Sequence, residues 1–261
     1  MRQGKIFVLF MVYAMLQTAG VLVMTQFVFP PFSPILVPLM NRIFGDFALH
    51  YPNNFMVLPV MFFWFNLILS GLLGILLVGL STHLFWASFQ RKAIQVRTGL
   101  RHVAPKLLTL FVAWVVETMV LVLIFVYLPK LLTKMDFIDP NSNLSKQLIT
   151  SFVAIVAAAF FTYTTVLIVL HDEGPLPAIR KSVAMFFRFP VITLLLVALP
   201  NLMKMPMDLI SGRPLFLITK FSPEMVAAAT ILSILVSMFA NYFLVGTVTS
   251  YYGSVQEKIP V

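Results

Sequence analysis

Glu117 is the most isolated of the few side chains in this sequence that could do chemistry. It sits near the centre of an apolar run, 107–128, as the only ionisable acid or base there. An ionised carboxylate at the middle of a membrane helix costs about 2.5–3.5 kcal/mol even on insertion scales. Glu117 is therefore expected to face the interior of a helix bundle, where it either hydrogen-bonds a polar neighbour or serves protons or a cationic substrate. Asn66, Tyr163 and Asn241 are polar groups in other apolar runs and are its candidate partners in an intramembrane polar site. A second set is basic: Arg97, Arg101, Arg180, Lys181 and Arg188 fall on short amphipathic stretches and are candidate contacts to lipid headgroups.

Nothing in the chain spells a catalytic centre. His50, His83, His102 and His171 are scattered, without the i, i+4 spacing that puts two imidazoles on one helix face, so no metal site is expected. There is no GxSxG, no phosphate-binding glycine loop and no close pair of aspartates, and no cofactor is expected. His171-Asp172-Glu173 could ligate a cation, but it precedes Gly174, Pro175 and Pro177 and reads as the acidic start of a helix near Pro177. Cysteine is absent, which removes disulfides and thiolate ligands.

The elements that must position these residues are membrane helices. Of 261 residues, 60% are hydrophobic and only 10% charged, with a mean hydropathy of +0.98, whereas soluble domains are roughly 25% charged. The expected architecture is all-α: a single integral membrane domain over 1–261, a polytopic transmembrane bundle of about six helices with interfacial amphipathic elbow helices. The spans are expected at 6–28, 55–85, 107–128, 147–170, 191–210 and 225–251. The first is expected to be retained as a helix, because its apolar run exceeds a signal-peptide core and no small-residue cleavage site follows.

Four prolines, Pro30, Pro31, Pro34 and Pro38, predict an extended or re-entrant loop from the first span to Asn54. The second apolar run continues to Phe89, longer than a bilayer needs, so it must tilt, kink or protrude; Gly71, Gly74 and Gly79 allow close helix approach within it. A polar loop is expected from Pro129 to Lys146, with a turn at Asp139 to Asn143. The alanine-rich fourth span (Ala154, Ala157, Ala158, Ala159) suits a central position. The fifth is interrupted by Pro200, Lys204 and Asp208, and a loop is expected from Ser211 to Pro223.

Charge orients the bundle. Placing the N-terminus inside puts Arg2, Lys5, Arg91, Lys92, Arg97, Arg101, Lys106, Arg180, Lys181, Arg188 and Lys258 on the cytoplasmic side, the majority of the 18 basic residues. Both termini are then cytoplasmic, and the expected location is the inner (cytoplasmic) membrane. The net charge of +9 is accounted for by this asymmetry and by anionic lipid, not by nucleic acid. Two basic amphipathic segments, 97–102 and 176–181, each follow one span and lead into another, which suggests an internal repeat about an axis along the membrane normal.

The segment from Asp172 through Ala178-Ile179-Arg180-Lys181-Ser182 to the aromatic Phe186-Phe187-Arg188-Phe189-Pro190, with Arg97 to Lys106 and its span before it, resembles a family. It is similar to six-helix prokaryotic membrane proteins of unknown function related to the membrane domain attached to some glycerophosphodiester phosphodiesterases. The resemblance covers roughly residues 89–251. It implies a compact helical bundle and a role in handling or sensing lipid or supporting a membrane complex, without the phosphodiesterase activity. The function expected is that of a non-catalytic subunit or scaffold of a membrane complex, with membrane lipids, anionic ones foremost, and other membrane subunits as partners. The alternative is a transporter or lipid-handling protein with a central polar site at Glu117; an intramembrane enzyme would need a second converging polar group.

Overall fold

The structure is a computed structural model that describes residues 4–134 and 143–256. Arg2, Lys258 and the expected turn residues Asp139 to Ser142 lie outside the described residues. Every regular element among the described residues is helical: α1 (Gly4–Thr25), α2 (Ser33–Phe44), α3 (Asn53–Leu69), α4 (Ile75–Phe89), α5 (Val96–Val103), α6 (Leu107–Lys134), α7 (Asn143–Phe161), α8 (Thr164–His171), α9 (Pro175–Arg188), α10 (Pro190–Ser211), α11 (Pro214–Lys220) and α12 (Glu224–Gln256). Among the described residues six stretches are long and apolar enough to cross a membrane: α1, α3 with α4, α5 with α6, α7 with α8, α10 and α12. The chain is an all-α, multi-pass membrane protein.

Three expected loops contain helix. The segment after α1 forms α2, because Pro34 falls in its first turn, where a missing N–H forfeits nothing, and Pro38 removes only one further backbone bond. Pro129 lies inside α6, which runs on to Lys134; the missing N–H frees only the Phe125 carbonyl of the helix ladder, a loss that membrane helices tolerate, and Thr133 Oγ1 adds a bond of its own to the Pro129 carbonyl at 2.9 Å. The segment between the last two spans holds α11, again begun by a proline, Pro214. Pro200 does not end α10, which is continuous to Ser211.

The overlong second run, 37 residues from Asn53 to Phe89, carries a π-helical turn at Ser70–Gly74 between α3 and α4. At about 1.5 Å per residue it is roughly 55 Å long, well beyond a hydrocarbon core of about 30 Å. The irregular turn holds Gly71 and Gly74, two of the three glycines of this run.

The chain divides into two compact units: one of residues 1–6, 75–201 and 243–261, the other of residues 7–74 and 202–242. In the first, α8 is the centre. Thr164, Val166, Leu167, Ile168 and Val169 are all buried, and α7 with α8 holds the most buried apolar window of the six stretches, half of its residues being buried. Its core adds Val103, Leu110, Ala113, Ala178 and Tyr252. Gly79 of α4 allows close packing: a methyl there would stand 2.9 Å from both Val103 Cγ1 and Leu110 Cδ1.

The chain breaks between α7 and α8, and Ser182 of α9 repairs the break. Its hydroxyl donates to the Phe160 carbonyl at 2.7 Å and accepts from the Tyr163 N–H at 3.1 Å. Ser182 is fully buried, so without it two backbone groups would be left unpaired in an apolar interior. This also sets the face of α9. Ala178, Ser182 and Phe186 point inward, whereas Leu176 and Phe187 are each 70% exposed. Small residues let α9 approach the break, which a face led by Leu176 would not.

In the second unit, α1 buries Phe10, Ala14, Gln17 and Val21, one stripe at helical spacing. Phe7 and Phe10 meet Tyr242 of α12 edge-on, at 5.4 and 5.7 Å between ring centroids.

Candidate functional site

Glu117 lies on α6 one turn beyond Ala113 and two beyond Leu110, the buried residues of that helix, so its spacing continues the inward stripe. Among the described residues it makes no hydrogen bond or ion pair. The three expected partners are engaged elsewhere. Asn66 accepts from Gln17 Nε2 at 2.5 Å, Asn241 accepts from Lys204 Nζ at 2.7 Å, and the Tyr163 hydroxyl meets Thr193 Oγ1 at 3.0 Å. Asn66 and Asn241 belong to one compact unit, Glu117 and Tyr163 to the other. Each of the three thus has a polar partner on a helix of its own unit. Thr162 spends its hydroxyl on its own helix, on the Ala158 carbonyl at 3.1 Å.

A different polar cluster is assembled where α8 ends. The Lys106 ammonium reaches the Val169 carbonyl at 2.5 Å, Asp172 Oδ1 at 2.6 Å and His102 Nε2 at 2.9 Å. An ammonium has three N–H donors, and here three acceptors surround it. His102 Nε2 also lies 2.9 Å from the Val169 carbonyl. One nitrogen cannot serve both: unprotonated it accepts from Lys106, protonated it donates to Val169. In either form a cation sits on a terminal carbonyl of α8, where the helix dipole is negative and the backbone lacks partners.

Asp172 takes the left-handed conformation, φ 56°, that ends α8, so it is a helix-end residue and not the N-cap expected for α9. The Lys106 ammonium beside it holds its carboxyl below the usual carboxylate range. Close by, His171 Nε2 meets the Tyr252 hydroxyl at 2.7 Å, and the His83 and His102 rings lie tilted by 36° with centroids 4.6 Å apart. Three histidines that looked scattered thus share one end of this unit. Their sequence separations run from 19 residues upward, and no local spacing rule detects such a group. Among the described residues no group of three or more His, Asp or Glu side chains is placed to hold a metal ion.

The basic residues divide by use. Lys181, expected to contact headgroups, instead pairs with Glu173 Oε1 at 2.5 Å. That pair uses one oxygen of Glu173, whose Oε2 is buried without a partner among the described residues, while the neighbouring Asp172 is held by Lys106. Arg97, Arg101 and Arg180 are exposed and make no ion pair among the described residues. Arg188 is exposed and lies over the Phe189 ring at 5.6 Å. On α5, Gly99 and Val103 are buried while Arg97 and Arg101 point outward. A methyl at Gly99 would stand 2.7 Å from Leu80 Cδ1, so the missing side chain is what lets α5 lie down on α4.

Comparison with known proteins gives no match: no family model, no curated protein and no solved structure is similar to this chain.

Proposed function

We propose that this chain is a non-catalytic subunit or scaffold of the inner (cytoplasmic) membrane, with both termini cytoplasmic, that takes hold of anionic lipid headgroups through α5 and α9. The observation that carries the reading is the division of basic residues. Lys106 and Lys181 are consumed by Asp172 and Glu173, whereas Arg97, Arg101 and Arg180 stay exposed without a counter-ion among the described residues. Both helices put small or apolar residues inward and arginines outward, the pattern of a helix lying in a headgroup layer. Arginine suits that layer, since its planar fork binds phosphate through two parallel hydrogen bonds. The cluster at Lys106 supports this role by fixing the end of α5 against the start of α9.

Replacing Arg97, Arg101, Arg180 and Arg188 together by glutamine tests the reading. Each cation near an anionic surface is worth about 1 kcal/mol, so the quadruple variant is expected to lose most of its co-purifying anionic lipid in native mass spectrometry. Its thermal unfolding should be unchanged, because none of the four supports the core. Unaltered anionic lipid in a folded variant would defeat the reading.

A further inference from the structure

The second compact unit carries a polar assembly on α10 and α12 that the proposed scaffold role does not use. Lys204 and Asp208 stand one turn apart on α10, about 6 Å along the axis. Lys204 donates to Asn241 Oδ1 at 2.7 Å, and Asp208 Oδ1 accepts from Ser233 Oγ at 3.2 Å. A cation and an anion four residues apart on a helix ordinarily close on each other. Here they make no ion pair, and each is instead held toward a neutral side chain of α12. One N–H of the ammonium is used by Asn241 and one carboxylate oxygen by Ser233. Both groups keep hydrogen-bonding capacity in a stretch apolar enough to cross a membrane, where ionisable side chains are costly and mark function.

We propose that Lys204 and Asp208 bind the zwitterionic headgroup of an aminophospholipid, the phosphate on Lys204 and the ammonium on Asp208. Three features argue for this ligand. First, a separated cation and anion are complementary to a molecule that carries an anion and a cation at similar spacing, which a purely anionic headgroup does not. Second, the order along the helix fits a lipid. Asp208 lies three residues from the end of α10 and Lys204 seven, so the acid is nearer the membrane surface, as the ammonium of such a lipid is relative to its phosphate. Third, the site opens outward. Asp208 is exposed, and α10 and α12 carry exposed large apolar side chains, Leu202, Met203, Ile210, Leu232 and Leu235 among them, on which acyl chains can lie.

The inference rests on α10 and α12 crossing the membrane, but not on the arginines of α5 and α9. The test is native mass spectrometry of the full chain with added phosphatidylethanolamine or phosphatidylglycerol, for wild type, Asp208→Asn and Lys204→Gln. Each neutralisation is expected to lower phosphatidylethanolamine retention about tenfold, the size of one charge-assisted hydrogen bond. Asp208→Asn should leave phosphatidylglycerol retention unchanged, because that lipid carries no ammonium. Asp208 is exposed, so this variant keeps the test decisive if Lys204→Gln fails to fold. Equal loss of both lipids on Asp208→Asn, or of neither, overturns the proposal. So does release of a co-purifying protein on Asp208→Asn with phosphatidylethanolamine unchanged, which would assign the pair to a partner's polar helix. Resistance of the wild type to alkaline extraction from membranes separates failure of the site from failure of the membrane reading.

Discussion

Lys106 Nζ lies 2.6 Å from Asp172 Oδ1, joining the start of α6 to the left-handed residue that ends α8. The lysine is nearly buried, at 12% side-chain exposure, and the aspartate is open at 73%. The asymmetry makes the buried partner the more important one, since an exposed carboxylate is well solvated alone while the ammonium is not.

Lys106→Met is therefore expected to lower stability by about 1–2 kcal/mol through loss of its charged hydrogen bond to the Val169 carbonyl. Asp172→Asn should cost less. The pH dependence has a definite sign. Because the folded carboxyl of Asp172 is held below its unfolded value, its contribution is present above the unfolded pKa, about 3.9, and is lost as pH falls through the folded one. Thermal unfolding of wild type should thus gain an acid-side decline that Asp172→Asn lacks. Parallel profiles below pH 4 would remove Asp172 from the account.

Ser182→Ala should destabilise by about 1–3 kcal/mol, because it strands the Tyr163 N–H and the Phe160 carbonyl in a dry interior. Ser182→Cys is expected to recover only part of this, since a thiol is a weak donor and acceptor. Amide hydrogen exchange gives the local readout: protection of the Tyr163 amide should fall in Ser182→Ala. A variant as stable as wild type, with that amide still protected, would mean another group closes the break.

What was legible in the sequence follows from the range of the forces involved. Six apolar runs show themselves because burial in a bilayer acts residue by residue, and the runs end within a few residues of the helices. Prolines misled where their position within a helix, and not their presence, decides: Pro34 begins α2 and Pro129 sits inside α6. Polar partners were the least legible. Glu117 could be marked as costly from its position alone, but Gln17 with Asn66, Lys204 with Asn241, and His171 with Tyr252 are separated by 49, 37 and 81 residues, and only packing brings them together. The inward face of α9 is hidden for a related reason. Ser182 is buried because of a break in another helix, which no periodicity within α9 reveals.

Topology gives a direct check on orientation. The chain has no cysteine, so single cysteines at Thr98 on α5 and at Lys220 on α11, both exposed, report their own side. With both termini cytoplasmic, an impermeant thiol reagent added to intact cells should label Lys220→Cys, while Thr98→Cys should label only after permeabilisation. Labelling of both from outside would refute the orientation and, with it, the assignment of α5 and α9 to the cytoplasmic headgroup layer.

Glu117 remains the sharpest test of how this bundle tolerates polarity. Its carboxyl continues the inward stripe of Leu110 and Ala113 yet has no hydrogen-bond or ionic partner among the described residues. A polar group in that position, unpaired, costs on the order of 1–3 kcal/mol. If Glu117 has no role beyond packing, Glu117→Leu should therefore raise thermal stability by a comparable amount, and Glu117→Gln should leave it nearly unchanged, because the amide is no better paired. If instead the carboxyl receives a proton or a cation when the protein works, both variants will fold and both will lose function, with the leucine variant the more stable of the two. Destabilisation by Glu117→Leu would contradict both outcomes. It would mean that the carboxyl is bound by a group outside the described residues, such as a partner subunit's donor, and deuterium exchange of α6 with and without the purified membrane complex would then locate the contact.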